Sequence, residues 1–178
     1  MSALNVFLND EEATLSFGRE LALGLTTNNE TSKKSFELSK NQDVEILGAV
    51  VYLAGDLGAG KTTLTRGIMR GFGYKGAVKS PTYTIIEPYE FVKSHIYHFD
   101  LYRLAHAEEV EFLGAEEYFS SKNLCLIEWP ERGQGFIPSA DLVIELAQKG
   151  NGRSVSCMSH TEKGLKIVKR LTERGRNL

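Results

Sequence analysis

Apolar residues in this chain follow a helical period in some stretches and a strand-like one in others. Ala13, Phe17, Leu21 and Leu25 form one stripe at helical spacing, which predicts an amphipathic helix with Asn9 as N-cap and Glu12 as its capping-box partner. Thr26–Asp43, TTNNETSKKSFELSKNQD, then holds only Phe36 and Leu38 as apolar residues and reads as a polar insertion. The run Val50, Val51, Tyr52, Leu53 predicts a strand ending at Gly55. Leu64, Ile68 and Phe72 bring back the helical period, with Gly71 and Gly73 as stop signals.

Beyond this helix, Lys79–Phe91 is a loop running into a β-rich stretch, and Pro88 places that strand at an edge or ends it. His95–Arg103 alternates and delivers Asp100 at a strand end. Short acidic helices are predicted at Ala107–Leu113 and Glu116–Phe119, separated by Gly114. Leu124–Glu128, LCLIE, is apolar throughout before its final carboxylate, as suits an interior strand of a parallel sheet. Gly133, Gly135 and Pro138 mark a loop. Asp141–Ala147 and Arg153–His160 read as two strands around the turn Gln148–Gly152, and Glu162–Arg174 as a closing helix with Leu165, Val168 and Leu171 inward.

Composition narrows the picture little. The formal charge of −2 supplies no general attraction to nucleic acid or membrane. No apolar run approaches the ~20 residues of a membrane span. The N-terminus MSALNVFLNDEEA has no basic region before an apolar one, so no secretory signal is expected. Cys125 and Cys157 lie apart in strand-like stretches and read as buried thiols of a reducing, cytoplasmic compartment.

The chemistry concentrates between the first strand and its helix. Gly55–Thr62, GDLGAGKT, satisfies G-x-x-x-x-G-K-[ST], with the strand before it and the helix after it that the motif needs. Gly55, Gly58 and Gly60 let the backbone turn several N–H groups towards one point, and the helix start adds its partial positive charge. Lys61 can reach the β- and γ-phosphates of a nucleotide, and Thr62 offers a hydroxyl to Mg²⁺. The predicted architecture is therefore a three-layer α/β phosphate-loop NTPase fold: one domain over 1–178, a largely parallel sheet, and an antiparallel C-terminal hairpin.

Such a site needs an acid near the metal and a group that positions the attacking water. Asp100 and Glu128 each end an apolar strand, where ligands of open α/β sheets bind. His95 and His98, three apart in a strand, point to opposite faces and do not form a chelating pair. The basic C-terminus, from Lys163 to Arg176, reads as the solvated face of an amphipathic helix. No N-K-x-D segment for guanine occurs, which favours ATP over GTP.

GDLGAGKTTLTRG, VKSPTYT, HFDLYRL, EEVEFLG and the IEWPE run, in this order, strongly resemble the bacterial TsaE (YjeE) family of small ATPases over about Asn9 to Arg153. That family works in making the threonylcarbamoyladenosine modification of tRNA. The resemblance implies an ATP/ADP site at Gly58, Ala59, Gly60, Lys61, Thr62 and Thr63, Mg²⁺ on Thr62 and Glu128, and Asp100 near the γ-phosphate or the attacking water. It makes Ser80–Tyr83 a switch-like loop, sets Trp129 beside the acid, and offers Thr14 and Arg153 as contacts with the nucleoside. It also implies TsaB and TsaD as partners, with tRNA met through their complex. A small-molecule kinase and a non-hydrolysing, ATP-dependent assembly factor are the competing functions. Phosphate transfer to an acceptor would reveal the first, and single-turnover assays with the partners the second. The insertion at 26–43 departs from the family's shorter connection.

Overall fold

The computed structural model describes residues 3–27 and 45–175. Most of the predicted insertion, including Phe36 and Leu38, lies outside the described residues. Its two ends are described: Thr26 and Ile46 form an antiparallel bridge, and Thr27 N–H donates to the Glu45 carbonyl at 3.0 Å. Thr26 is buried, so the structured part of the chain runs on past the predicted boundary.

The elements run β1 (Ala3–Leu8), α1 (Glu11–Gly24), β2 (Ala49–Ala54), α2 (Lys61–Gly71), β3 (Ile86–Glu90), β4 (His95–Asp100), α3 (Glu109–Phe112), β5 (Leu124–Glu128), β6 (Leu142–Lys149), β7 (Gly152–Ser159) and α4 (Glu162–Gly175). They build one sheet of seven strands in the order β1-β7-β6-β2-β5-β4-β3. Its centre, β6-β2-β5-β4, is parallel, and antiparallel strands close both flanks. Pro88 sits in the edge strand β3, where its missing N–H leaves no gap in an interior ladder. Strand β1 adds to the predicted elements: Leu4, Val6 and Leu8 recur at the strand period and pack on the core, and the strand pairs with β7, which makes the C-terminal hairpin a three-stranded flank.

The layers on the two faces are unequal. Helices α1, α2 and α4 cover one face over a core that includes Leu21, Leu53, Leu64, Ile68, Leu126 and Val168. On the other face a smaller cluster of Phe99, Leu101, Leu104, Val110, Cys125 and Ile127 packs against β2, β4 and β5. Both cysteines are buried and free, and burial pushes each thiol up to about 12.

Two local features place the start of α2. Helix α1 begins one residue later than the pattern predicts: Asp10, not Asn9, is the N-cap, and its Oδ1 accepts from Ala13 N–H at 2.8 Å. Helices α1 and α2 then touch backbone to backbone through Gly18 and Gly67. A Cβ on Gly18 would fall 2.7 Å from the Leu64 carbonyl oxygen, and one on Gly67 2.5 Å from that of Leu15. This contact seats α2 against α1 and the sheet, with its first turn at the carboxyl ends of the parallel strands.

Candidate functional site

The strand β2 ends at Ala54 and α2 starts at Lys61, so the glycine-rich loop spans the top of the sheet. Gly55, Gly58 and Gly60 all have positive φ, at 136°, 79° and 103°, which an L side chain would strain. At Gly60 a second constraint operates. A Cβ there would fall 1.9 Å from Arg153 Nη1, so the guanidinium lies directly against the loop. Arg153 comes from β7, in the flank added by the hairpin.

A cavity of about 490 Å³ opens beside this loop. Leu57, Gly58, Gly60, Lys61, Thr62 and Thr63 line one side, and Ser80, Thr82, Asp100, Tyr102, Arg103, Glu128 and Trp129 the other. The parallel register of β4 and β5 places Asp100 opposite Glu128, and that of β2 and β5 pairs Leu53 with Glu128. Sheet pairing thus brings both carboxylates to the loop.

Lys61 is buried, 5% exposed, not turned to solvent as an extended loop lysine would be. Its Nζ donates to the carbonyls of Gly55 at 2.5 Å and Asp56 at 2.9 Å and lies 4.1 Å from the centre of the Trp129 ring. Burial pushes its ammonium below the ordinary lysine value, and Glu128, Asp100, Glu131 and Asp56 pull it back upwards. The charge is thus held inside the loop, next to the place where an anion would sit.

Thr62 Oγ1 donates to Glu128 Oε1 at 3.0 Å, which leaves the lone pairs of the hydroxyl free. The same Oε1 is 2.8 Å from His98 Nε2, and Oε2 takes no hydrogen bond from the described residues. Asp100 is engaged differently. Its Oδ2 accepts from the hydroxyls of Ser80 and, at 3.3 Å, Thr82, while Oδ1 accepts from Tyr102 N–H at 3.1 Å. Asp100 therefore fastens the Ser80–Thr82 loop over the cavity.

Among the described residues, positive φ at a residue other than glycine occurs at Ile85, 66°, and Trp129, 57°. The Ile85 carbonyl accepts from Asp100 N–H at 2.9 Å, and Trp129 directly follows Glu128. The unfavourable conformations thus adjoin the two carboxylates, a pattern common where structure over-determines a site. The reversed chain at Trp129 turns its ring over Lys61 and against Tyr102, whose ring centre is 4.9 Å away.

Residues 8–155 match the family model described as Threonylcarbamoyl adenosine biosynthesis protein TsaE. The chain belongs to the TsaE family. It is 43% identical over 168 residues to the tRNA threonylcarbamoyladenosine biosynthesis protein TsaE of Haemophilus influenzae, covering 94% of this chain and 97% of that protein. The Synechocystis TsaE is 38% identical over 74% of this chain and 73% of its own length. The crystal structure of Bacillus subtilis YdiB superposes with a TM-score of 0.75 at 26% identity, covering 98% of this chain and 97% of that one. Family membership assigns the chain to biosynthesis of threonylcarbamoyladenosine in tRNA, and the structural likeness agrees with the phosphate-loop NTPase architecture of TsaE.

The expected TsaE site residues do not all meet at the cavity. Gly58, Gly60, Lys61, Thr62, Thr63, Asp100 and Glu128 line it, while Ala59 is buried behind the loop and Arg153 abuts Gly60. Thr14 is fully buried in α1, with its hydroxyl donating to the Asp10 carbonyl at 3.0 Å, and is not part of the lining. The spacing of His95 and His98 speaks only against chelation and gives His98 no role of its own in the sequence. Strand parity was the available signal: His98 is two residues before Asp100, so the two share a face. Arg103, three residues past Asp100 in a turn, has no direction that parity can give; it lines the cavity, with its guanidinium 4.4 Å from the centre of the exposed Tyr83 ring.

Proposed function

We propose that this TsaE family member is an ATPase whose hydrolysis of ATP to ADP and phosphate supports repeated turnover of the TsaB–TsaD complex on tRNA. The observation that carries the reading is the meeting of Lys61, Thr62, Asp100 and Glu128 around one cavity, from segments far apart in the chain. Loop N–H groups and the first turn of α2 bind the phosphates, and Lys61 exchanges its bonds to the Gly55 and Asp56 carbonyls for bonds to phosphate oxygens.

The oxygen donors fit Mg²⁺, which takes one or two protein ligands beside phosphates and water. Thr62 Oγ1 and Glu128 Oε2 would hold it, and when bound it neutralises charge on the phosphate oxygens. Asp100, released from Ser80 or Thr82 as the loop adjusts, accepts a hydrogen bond from the attacking water and orients it. Trp129 shields Lys61 from solvent, which strengthens the electrostatic contact.

The deciding experiment measures ATP hydrolysis by the chain alone and with TsaB–TsaD, with and without tRNA, using Lys61→Ala as the inactive control. Slow hydrolysis alone, a clear rise with the partners, and tRNA modified past one turnover only with hydrolysable ATP are expected. Equal multiple-turnover modification with a non-hydrolysable analogue would defeat the reset role. Transfer of phosphate to an acceptor would make the chain a kinase.

A further inference from the structure

His98 is fully buried on β4, on the face shared with Ile96 and Asp100, and its register partner is the buried Leu126 of β5. An apolar side chain would fill such a position without the desolvation cost of an imidazole. The ring makes one hydrogen bond among the described residues, 2.8 Å from Nε2 to Glu128 Oε1, and Nδ1 has no partner. An ionised carboxylate only accepts, so Nε2 carries the hydrogen.

We infer that His98 is a positioning residue that fixes the carboxylate of Glu128, so that Oε2 and the Thr62 hydroxyl oxygen converge on one cation. Oε1 is held by two donors from different elements, His98 on β4 and Thr62 on α2, and this pins rotation of the carboxylate. Hydrogen-bonded supports of this kind typically change metal affinity or activity by ~10–100-fold when removed. The inference rests on the reading of Glu128 and Thr62 as the Mg²⁺ side of an ATP site.

The test compares His98→Phe, which keeps a ring without a donor, His98→Gln, whose amide reaches the Nε2 position, and His98→Asn, whose shorter amide does not. ATP binding to each folded full-length chain is measured by calorimetry in EDTA and across an Mg²⁺ titration. The Phe and Asn variants should need ~10–100-fold more Mg²⁺ for half-maximal effect, with binding in EDTA unchanged and the Gln variant close to wild type. Should His98→Phe fail to fold, the Gln–Asn contrast still decides. Wild-type Mg²⁺ dependence in the Asn variant, or equal losses in Gln and Asn, would overturn the role. Absence of any Mg²⁺-dependent ATP binding by the wild type would instead remove the site reading beneath it. The imidazole ¹⁵N spectrum of the nucleotide-free chain gives a separate check: a hydrogen belongs on Nε2, and a ring with its hydrogen on Nδ1 and a bare Nε2 would contradict the geometry whatever the chain binds.

Discussion

Asp100 and Glu128 stand opposite each other in the parallel register of β4 and β5, yet their carboxylates serve different neighbours. Glu128 is tied to Thr62 at the start of α2, and Asp100 to Ser80, Thr82 and Tyr102 in the loops over the cavity. Substitution should therefore separate them. Glu128→Ala should weaken Mg²⁺-dependent nucleotide binding as well as turnover. Asp100→Ala should reduce hydrolysis by ~10²–10³ with a smaller effect on binding, because orientation of water matters chiefly in the transition state. Binding isotherms and single-turnover rates on both variants measure this; the reverse pattern would mean that the roles are exchanged.

Arg103 supplies a cavity-facing arginine from within the chain, held against the ring of Tyr83. A guanidinium aimed at developing phosphate charge acts mainly in the transition state. Arg103→Ala should lower the hydrolysis rate by ~10²–10³ with little change in ATP affinity. Tyr83→Ala should produce a smaller loss of the same kind. An Arg103→Ala chain that hydrolyses ATP at the wild-type rate, alone and with TsaB–TsaD, would restrict Arg103 to a surface contact.

The thiols make stability depend on alkaline pH. Cys125 and Cys157 move from an ordinary value of 9.0 to about 12 through burial, so the folded chain keeps protons that the unfolded chain releases. Their contribution is intact below pH 9.0 and is lost as the pH rises through about 12. Urea midpoints should fall across this window. Replacing both cysteines by alanine should flatten that slope while lowering stability at neutral pH through lost packing. In the native chain both thiols should resist alkylation at pH 8 and react once urea unfolds it.

The segment between Thr27 and Glu45 leaves and re-enters the fold at adjacent points, since Thr26 and Ile46 are already bridged. Arg170 Nη1 reinforces the exit through the carbonyls of Gly24, at 3.1 Å, and Thr26, at 2.6 Å. Ile46 precedes the start of β2, whereas the phosphate loop follows its end. A short Gly/Ser link between Thr27 and Glu45 should leave nucleotide binding unchanged and shift thermal stability little. Loss of folding or of ATP binding would place Phe36 and Leu38 in the core.

What the sequence by itself determined is contiguous. The glycine-rich loop, the helix after it, the strands ending in Asp100 and Glu128 and the closing hairpin all rest on local backbone needs or short-range periodicity, which a stretch of ten or so residues carries within itself. The family could be read for the same reason, because its motifs are short runs in a set order. Tertiary structure alone decided what meets across the chain. Strand register brought Glu128 to Thr62 across a sequence separation of 66 residues. It turned His98 from an isolated strand residue into a partner of Glu128. Pairing of β7 with β6 carried Arg153 to Gly60, while the packing of α1 enclosed Thr14. The place of Trp129 over Lys61 was equally hidden, since Trp129 takes a left-handed backbone conformation that tryptophan has no intrinsic tendency to adopt. Side-chain chemistry is written residue by residue, but which groups share a cavity follows from how separate segments pair and pack.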